Sequence, residues 1–350
     1  MVKPVSNVRG RRSNIREVAD LAQVSPATVS RVLNGSTTVR EDYRRRVLEV
    51  VSRTDYRPNR LARNLRRQKA EMIGVVVSDI ENPHFSEAVR VIEDEAFREG
   101  YRVLLCNTDE TPAKQRAYLE MLADERVVAA IVSPADSAGT GFDALHALEM
   151  PVVAFDRTIH DSRVDTVVAD NLEGVRRATE HLLWLGHERV ALVAGRLDVE
   201  SGADRLRGYT NAMRAAGLVP FSVGGGFRVD AAEEAVALLL KSQNRPTAIV
   251  VANNLMTLGA LRAIKRMGLK VPRDLAIVAV DDPAWAELTD PPLTALAQPV
   301  REMATAAMRL VLERARGDRT ESRHIVLPME LRVRASCGVG RLDGSISRTS

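Results

Sequence analysis

Eight short apolar runs that alternate with amphipathic segments constrain the fold of this chain most strongly. In order they are MIGVVVS, RVLLC, AAIVS, PVVAF, DTVVA, RVALVAG, TAIVVA and LAIVAV, all between residues 71 and 281. Such alternation is typical of parallel sheets built from βαβ units. Because eight strands are too many for one small sheet and the pattern restarts near Asn171, we predict a core of two doubly wound α/β subdomains in residues 71–337.

The charge of the chain divides after Ala70. Residues 1–70 hold 17 Lys and Arg against 6 Asp and Glu, a balance of +11, whereas the other 280 residues hold 33 against 40, a balance of −7. A basic head on an acidic body favours attraction to nucleic acid, because phosphate neutralisation supplies most non-specific affinity. A basic arm that is merely solvated is the alternative interpretation.

Residues 14–53 carry the signals of three short helices. Asn14 and Glu17 have the spacing of a capping box, and Ser25 followed by Pro26 is a favourable helix start. Two short helices joined by so tight a turn predict an all-α helix-turn-helix domain over residues 14–58. We expect a third helix, from about Glu41 to Arg53, to cover the pair with Val47, Leu48 and Val51.

The same segment resembles the DNA-binding head of the lactose-repressor (LacI/GalR) family. The resemblance runs from Ile15 to about Arg67 and rests on the elements V-A-x-x-A-x-V-S-x-x-T-V-S-R-V-L-N and Y-x-P-N-x-x-A-R-x-L. It implies that the second helix enters the major groove with Pro26, Ala27 and Arg31 nearest the base edges, and that the Arg31 guanidinium is the strongest base reader. The DNA contacts expected from this helix are Pro26, Ala27, Thr28, Ser30, Arg31 and Asn34. Arg40 stands where the family has a Ser-like cap for helix three, which weakens that cap.

Residues 59–70 are interpreted, by the same resemblance, as a hinge helix and linker. A segment this short is not a stable helix alone in water, so DNA has to help it fold. The resemblance implies minor-groove contacts from Asn59, Ala62 and Leu65, with Leu65 as the wedge that kinks the duplex. Residues 1–13 are expected to be a flexible basic arm, and residues 338–350 a polar tail without a heptad repeat.

The body resembles the effector core of the family, which is similar to periplasmic sugar-binding proteins. On that basis we place one lobe at about 72–170 plus 299–324 and the other at about 171–298 plus 325–337. Ligands of open α/β sheets lie beyond the carboxyl ends of the strands, so residues that follow strands are the candidates. The predicted effector contacts are Phe85, Asp156, Asp170, Ser201, Arg205, Asn253, Asp281 and Trp285.

Some of these residues carry specific expectations. Arg205 matches the family position that usually holds the effector, and Ser201 is expected to be the N-cap of its helix. An Asp that follows a strand often caps the next helix instead of binding a ligand. Asn254 stands where many relatives carry Asp, which puts a contact between the lobes through that carboxylate in doubt.

Several classes of protein are disfavoured. The sequence has no P-loop, HExxH, GxSxG or CxxC motif, so we predict neither an enzyme nor a cofactor. Cys106 and Cys337 lack metal-ligand spacing, and no metal site is expected. No apolar run is long enough for a membrane span, and a basic, polar N-terminus favours a cytoplasmic protein with no membrane partner.

Together these features predict a homodimeric transcription regulator that binds a palindromic operator in double-stranded DNA. We predict that the regulator represses transcription and that a small-molecule effector bound between the lobes alters its affinity for the operator. A sugar is the predicted effector, because hydroxyls both donate and accept hydrogen bonds and sugar rings stack on aromatic side chains. The alternatives are a nucleobase or nucleoside effector in the same architecture, a DNA-binding protein without an effector, and a solute-binding protein or enzyme with an incidental basic head.

Overall fold

The computed structural model describes residues 14–33, 36, 39–54 and 72–338. They belong to two compact units that separate between Ala70 and Glu71. Within the described residues, no helix combines the length and the apolar character needed to cross a bilayer.

Over its described residues, the first unit contains three helices, α1 (Ile15–Ala22), α2 (Pro26–Leu33) and α3 (Glu41–Arg53). The predicted capping box is present, since the Asn14 side chain accepts N–H bonds from the first turn of α1 and Glu17 accepts the Asn14 N–H. The Ser25 hydroxyl accepts the Thr28 N–H at 3.1 Å and so caps α2. Arg40 precedes α3 without any side-chain cap, as its sequence predicts.

A small apolar core holds the three helices together. Its fully buried members are Val18, Ala19, Ala22, Val29, Val32 and Val47. The expectation for Leu48 is wrong, because 49% of this residue is exposed. Val50 and Val51 pack against the core in its place, since residues three and four positions from Val47 share its face of the helix, whereas Leu48 points about 100° away.

The second unit contains twelve strands and eight α-helices among the residues described. The strands are β1 (Met72–Val77), β2 (Arg102–Asn107), β3 (Ala129–Val132), β4 (Val152–Phe155), β5 (Asp165–Ala169), β6 (Val190–Ala194), β7 (Ser222–Gly224), β8 (Ala248–Val251), β9 (Ala276–Val280), β10 (Thr294–Ala297), β11 (His324–Leu327) and β12 (Glu330–Arg332). The helices are α4 (Pro83–Arg98), α5 (Pro112–Asp124), α6 (Phe142–His146), α7 (Asn171–Trp184), α8 (Glu200–Ala215), α9 (Val229–Lys241), α10 (Asn254–Arg266) and α11 (Val300–Ala315).

The strands form two six-stranded sheets, one in each lobe. The first has the order β11-β5-β4-β3-β1-β2 and the second the order β12-β10-β9-β8-β6-β7. All pairs are parallel except β10 with β12. Both sheets reverse their strand order beside the first strand, between β1 and β3 and between β6 and β8, as in doubly wound folds. The carboxyl ends of the strands therefore open crevices where ligands of such folds bind.

The chain passes between the lobes three times, at Asp170, at residues 298–299 and at residues 328–329. The predicted third boundary, at residues 324/325, falls too early. Strand β11 continues to Leu327 and pairs with β5 in the first sheet, so residues 325–327 belong to the first lobe. The next strand, β12, pairs with β10 and belongs to the second.

Candidate DNA-reading helix and interlobe cavity

Helix α2 presents an exposed face with one cation opposite its buried valines. Val29 and Val32 are buried, whereas Pro26, Ala27 and Arg31 are exposed on the other side. Side chains on this side are free of the core because the helix needs only one face for packing. The structure thus presents at the surface the three residues expected to lie nearest base edges.

The remaining predicted DNA contacts divide into two groups. Thr28 and Ser30 are half-buried, and the Thr28 hydroxyl lies 3.0 Å from the hydroxyl of Ser25. The Thr28 hydroxyl therefore contributes to the start of α2 in addition to any phosphate contact. The other predicted contacts lie outside the described residues and remain predictions from the sequence, namely Asn34, Asn59, Ala62 and Leu65.

A cavity lies where the carboxyl ends of the two sheets face each other. Its free volume is about 20 Å³, and we call it the inner chamber. Six of the predicted effector contacts line it, and these are Phe85, Asp156, Ser201, Arg205, Asn253 and Asp281. Small-molecule sites usually have volumes of roughly 300–1,000 Å³, so the lobes have to separate before a ligand of that size can enter.

Arg205 and Asp281 are the two charged groups in the chamber that are not paired with an opposite charge. Arg205 donates to the Asn171 side chain at 2.7 Å and to the Ala252 carbonyl, and Asp281 accepts the Asn254 N–H and the Gln298 amide. Neither forms an ion pair within the described parts of the chain. Burial lowers the pKa of Arg205, although the carboxylates nearby oppose this. A buried cation and a buried anion without ion-pair partners suit a ligand that both accepts and donates hydrogen bonds.

His84 and Asp156 form a buried pair on the opposite wall. The His84 Nε2 and Asp156 Oδ1 atoms are 3.1 Å apart. Burial by itself would raise the pKa of Asp156, but the imidazole beside it prevails and lowers the pKa to about 2. Burial would likewise lower the pKa of His84, and the carboxylate reverses this and raises it. Over the described residues, no cluster of His, Cys, Asp and Glu is arranged to hold a metal ion.

Strained backbone is concentrated at this cavity. Asp109, Glu110, Asp156, Phe227 and Asp281 all have positive φ angles, between 53° and 73°. Each such conformation costs roughly 1–3 kcal/mol for a residue other than glycine, and is least favourable for a bulky side chain such as Phe. The cost is typical of sites where the position of a side chain matters for function.

Two predicted effector contacts lie elsewhere. Asp170 is the N-cap of α7 and accepts the Glu173 N–H at 3.1 Å, so it follows the capping alternative. Trp285 lies in a 3₁₀ turn and packs against the hydrophobic core, outside the lining of the chamber. Ser201 is also not an N-cap, because α8 begins one residue earlier, at Glu200. Its position within the first turn nevertheless places it in the chamber wall.

The prediction omitted Glu110, Arg157, Phe227 and Gln298, which also line the inner chamber. Phe227 and Gln298 follow β7 and β10, two strands that the apolar runs did not reveal. The Phe227 ring occupies space left by Gly195, where a Cβ atom would lie 2.0 Å from a ring carbon. Glu110 follows β2 at a short distance, and the position after a predicted strand was the available signal.

Two arginines of the second lobe reach across the cavity to carboxylates of the first. Arg196 donates to Glu110, with its Nη1 at 3.0 Å from Oε2, and Glu110 also binds Arg157 through both oxygens. Arg228 donates to Asp109 Oδ1 at 2.6 Å. We call the ion pairs Arg196–Glu110 and Arg228–Asp109 the cross-lobe latch. Because both pairs join different lobes, they favour the closed arrangement.

Removing both latch arginines, in the variant Arg196→Gln/Arg228→Gln, is expected to make the lobes separate more easily. Partly exposed ion pairs contribute about 0.2–1 kcal/mol each, so the open population should rise roughly fivefold. Single-molecule energy transfer between a dye on each lobe measures this population. Arg163→Gln is the matched control, because Arg163 pairs with Asp161 inside the first lobe. An unchanged distance distribution in the double variant would contradict the latch.

Comparison with known proteins agrees with both units. The model for bacterial regulatory proteins of the lacI family matches residues 14–59, and the model for a periplasmic binding protein-like domain matches residues 179–337. The HTH-type transcriptional repressor PurR of Aliivibrio salmonicida is 32% identical over 93% of this chain and 98% of that protein. The ribose operon repressor of Halalkalibacterium halodurans is 32% identical over 92% of this chain and 96% of that protein.

The chain belongs to the LacI family. It is therefore a DNA-binding transcriptional regulator with a helix-turn-helix head and an effector-binding core of two lobes, as the sequence predicted. Among solved structures, the Lac repressor dimer bound to operator and the anti-inducer ONPF has a TM-score of 0.82 at 27% identity, over 93% of this chain and 99% of that one. The transcriptional regulator CelR in complex with cellobiose has a TM-score of 0.71 at 30% identity, over 93% of this chain and 100% of that one.

Proposed function

We propose that this LacI-family regulator is a repressor that binds a palindromic operator as a homodimer, and that a sugar bound in the inner chamber changes its affinity for the operator. The observation that carries the proposal is the set of side chains around the chamber. Phe85 and Phe227 supply aromatic faces from opposite lobes, and Arg205 and Asp281 supply hydrogen-bonding groups of both kinds. Sugar rings present apolar faces and hydroxyl edges, which match these two kinds of group.

The coupling follows from the position of the chamber between the lobes. A ligand that contacts both lobes binds one arrangement of them more tightly than the others and so shifts the population toward it. In the proposed dimer, that shift changes the spacing of the two hinge segments at residues 59–70 and hence the fit to the operator. Arg31 reads a guanine in each half-site, and Leu65 wedges into the central step.

Two of the matched proteins are associated with a sugar by name or by a bound ligand, which is in line with a sugar effector. CelR was solved with cellobiose, and one relative is named as the repressor of a ribose operon. The specific observation that favours a second candidate, a nucleobase or nucleoside, is the pair of aromatic rings contributed by opposite lobes, because a planar base can stack between two rings.

The test begins with a thermal-shift screen of the full chain against D-ribose, D-glucose, cellobiose, adenosine and hypoxanthine. A ligand at about 100 times its Kd stabilises the native state by about 2.7 kcal/mol, so Tm should rise on the order of 5 °C. Each compound is then added to the protein on an operator selected from random duplexes. We expect a sugar to raise Tm and to change operator affinity at least tenfold.

Other outcomes separate the alternatives. A response to adenosine or hypoxanthine alone would favour the nucleobase effector. A Tm and an operator affinity that no small molecule alters would favour a DNA-binding protein without an effector. Failure to select any specific duplex would contradict the regulator as a whole.

A further inference from the structure

A second cavity adjoins the inner chamber. Its volume is about 380 Å³, and its walls include Pro83, Asn254, Pro283, Val300, Pro328 and Arg332. We call it the outer chamber. By itself it lies within the range of roughly 300–1,000 Å³ that small-molecule sites occupy. It therefore has room for a sugar ring in addition to whatever occupies the inner chamber.

The two chambers are separated by a thin partition. His84, Asp281 and Gln298 line both cavities, so a single layer of side chains divides them. Two of the segments that cross between the lobes also border the outer chamber, at residues 298–299 and at Pro328. Movement of the lobes therefore changes the partition.

Polar atoms in and beside the partition lack hydrogen-bond partners among the residues that the structure describes. Asn82 Oδ1 accepts the His84 N–H, so the Asn254 amide has to point its nitrogen toward Asn82. The Gln298 amide likewise has to point its nitrogen toward the Asp281 carboxylate. Asn254 Oδ1 and Gln298 Oε1 are left as buried acceptors without a partner among the described residues, and His84 Nδ1 also lacks a hydrogen-bond partner there. Burying an unsatisfied acceptor is unfavourable, and a ligand hydroxyl placed between the chambers would relieve it.

The charges around the outer chamber disfavour an anion. Its lining carries the carboxylates Glu87, Asp281, Asp282, Glu302 and Glu330 against only two arginines, Arg301 and Arg332. Arg332 is already paired with Asp282 at 2.9 Å and with Glu330 at 3.0 Å. A phosphate or carboxylate would meet an excess of like charge, whereas hydroxyl groups can donate to these oxygens.

The inner chamber is also lined by more carboxylates than arginines. Asp79, Glu110, Asp156 and Asp281 line it together with Arg157 and Arg205. Both guanidinium nitrogens Nη1 and Nη2 of Arg157 are bound to Glu110. That arginine is therefore committed, and the His84 imidazole, which lines both chambers, is paired with Asp156. Among the described residues this leaves Arg205 as the uncommitted cation of the inner chamber, so neither chamber offers a cluster of cations for a phosphate group.

We propose that the effector occupies both chambers and is an uncharged glycoside longer than one sugar ring, with its linkage in the partition of His84, Asp281 and Gln298. This inference rests on the proposed function, because it names the class of sugar that the regulator senses. Four prolines line the outer chamber, namely Pro83, Pro283, Pro299 and Pro328, and their restricted backbone gives it walls that can select among second rings.

The test compares neutral disaccharides with their parts. Calorimetry on the full chain measures Kd for cellobiose, maltose, lactose and trehalose, for D-glucose and D-galactose, and for glucose 6-phosphate and trehalose 6-phosphate. We expect one neutral disaccharide to bind at least tenfold more tightly than either monosaccharide and more tightly than either phosphate ester. A monosaccharide that binds as tightly as every disaccharide, or a phosphate ester that binds best, would overturn the proposal.

Variants locate the second ring. Val300→Trp fills the outer chamber and should remove most of the preference for the disaccharide, while D-glucose or D-galactose binding stays within about twofold. Thr305→Trp is the matched control, because Thr305 is exposed on the same helix and lies outside this chamber. Glu87→Trp provides a second obstruction from an exposed position, in case Val300→Trp fails to fold. Equal losses for disaccharide and monosaccharide in both obstructing variants would contradict the outer chamber.

Failure of this inference can be distinguished from failure of the proposed function. If a monosaccharide alone controls operator affinity, the sugar-responsive regulator stands and the two-chamber site is wrong. If no sugar binds and hypoxanthine does, the proposed sugar effector is wrong and the two-chamber site is wrong with it.

Discussion

Arg205→Ala is expected to abolish the response to the effector while operator binding without effector stays within about twofold. The buried guanidinium faces the inner chamber, and no described neighbour pairs with its charge. Hydrogen bonds to charged groups contribute about 1.5–3 kcal/mol each, so losing a pair of them should weaken effector binding roughly 100-fold or more. Calorimetry with the ligand found by screening measures the first effect, and fluorescence anisotropy on the selected operator measures the second.

Arg207→Ala is the control for this variant. Arg207 lies on the same helix, but its side chain is 61% exposed and pairs with Asp204 on the surface. The substitution removes the same charge and leaves the chamber intact, so effector binding should be unchanged. Arg205→Ala also leaves the Asn171 and Ala252 oxygens without their donor, and a circular dichroism melt separates lost binding from lost folding. A normal effector response in a folded Arg205→Ala protein would rule out this cavity as the effector site.

Arg31→Ala is expected to lower affinity for the selected operator about tenfold to 100-fold, because a bidentate arginine contact to guanine contributes about 1–3 kcal/mol of discrimination. Binding to unrelated duplexes should fall much less, since phosphate contacts supply most of that affinity. The informative quantity is the ratio of specific to non-specific affinity, measured at one salt concentration. We expect that ratio to collapse in Arg31→Ala.

Arg16→Ala is the matched control within the same unit. Arg16 is exposed on α1, outside the helix expected to read bases. Its contacts with DNA are expected to be with phosphates, so its loss should weaken specific and non-specific binding together. Equal losses on both kinds of duplex in Arg31→Ala would show that Arg31 only contacts phosphate and that other residues read the bases.

The helix-turn-helix unit was predictable because its information is local. Caps lie within three residues of the helix they begin, as for Asn14 with Glu17 and Ser25 with Thr28. The bounds predicted for α3, about Glu41 to Arg53, agree with the structure. The error at Leu48 concerned only which residues around that helix face its two neighbours, which depends on tertiary packing.

The core shows where a sequence pattern stops being informative. Central strands such as β6 and β9 are buried on both faces and appear as continuous apolar runs. The edge strands β7, β11 and β12 are largely exposed and carry no such run, so the pattern did not reveal them. Phe227 was missed for this reason, and the third crossing was misplaced because β11 was not recognised.

The sequence by itself determined the three helices of the head, the division into two α/β lobes and the family to which the chain belongs. These follow from apolar periodicity, helix caps and a long contiguous motif, all of which are read along the chain. Only the tertiary structure decided that Asp281 faces the inner chamber while Asp170 caps α7, although both follow a strand directly. It alone also placed Glu110 against Arg196, 86 residues away. The physical reason is that the role of a side chain at a strand end depends on which residues of the other lobe lie opposite it. Those residues are far away in the sequence, so local spacing does not reveal them.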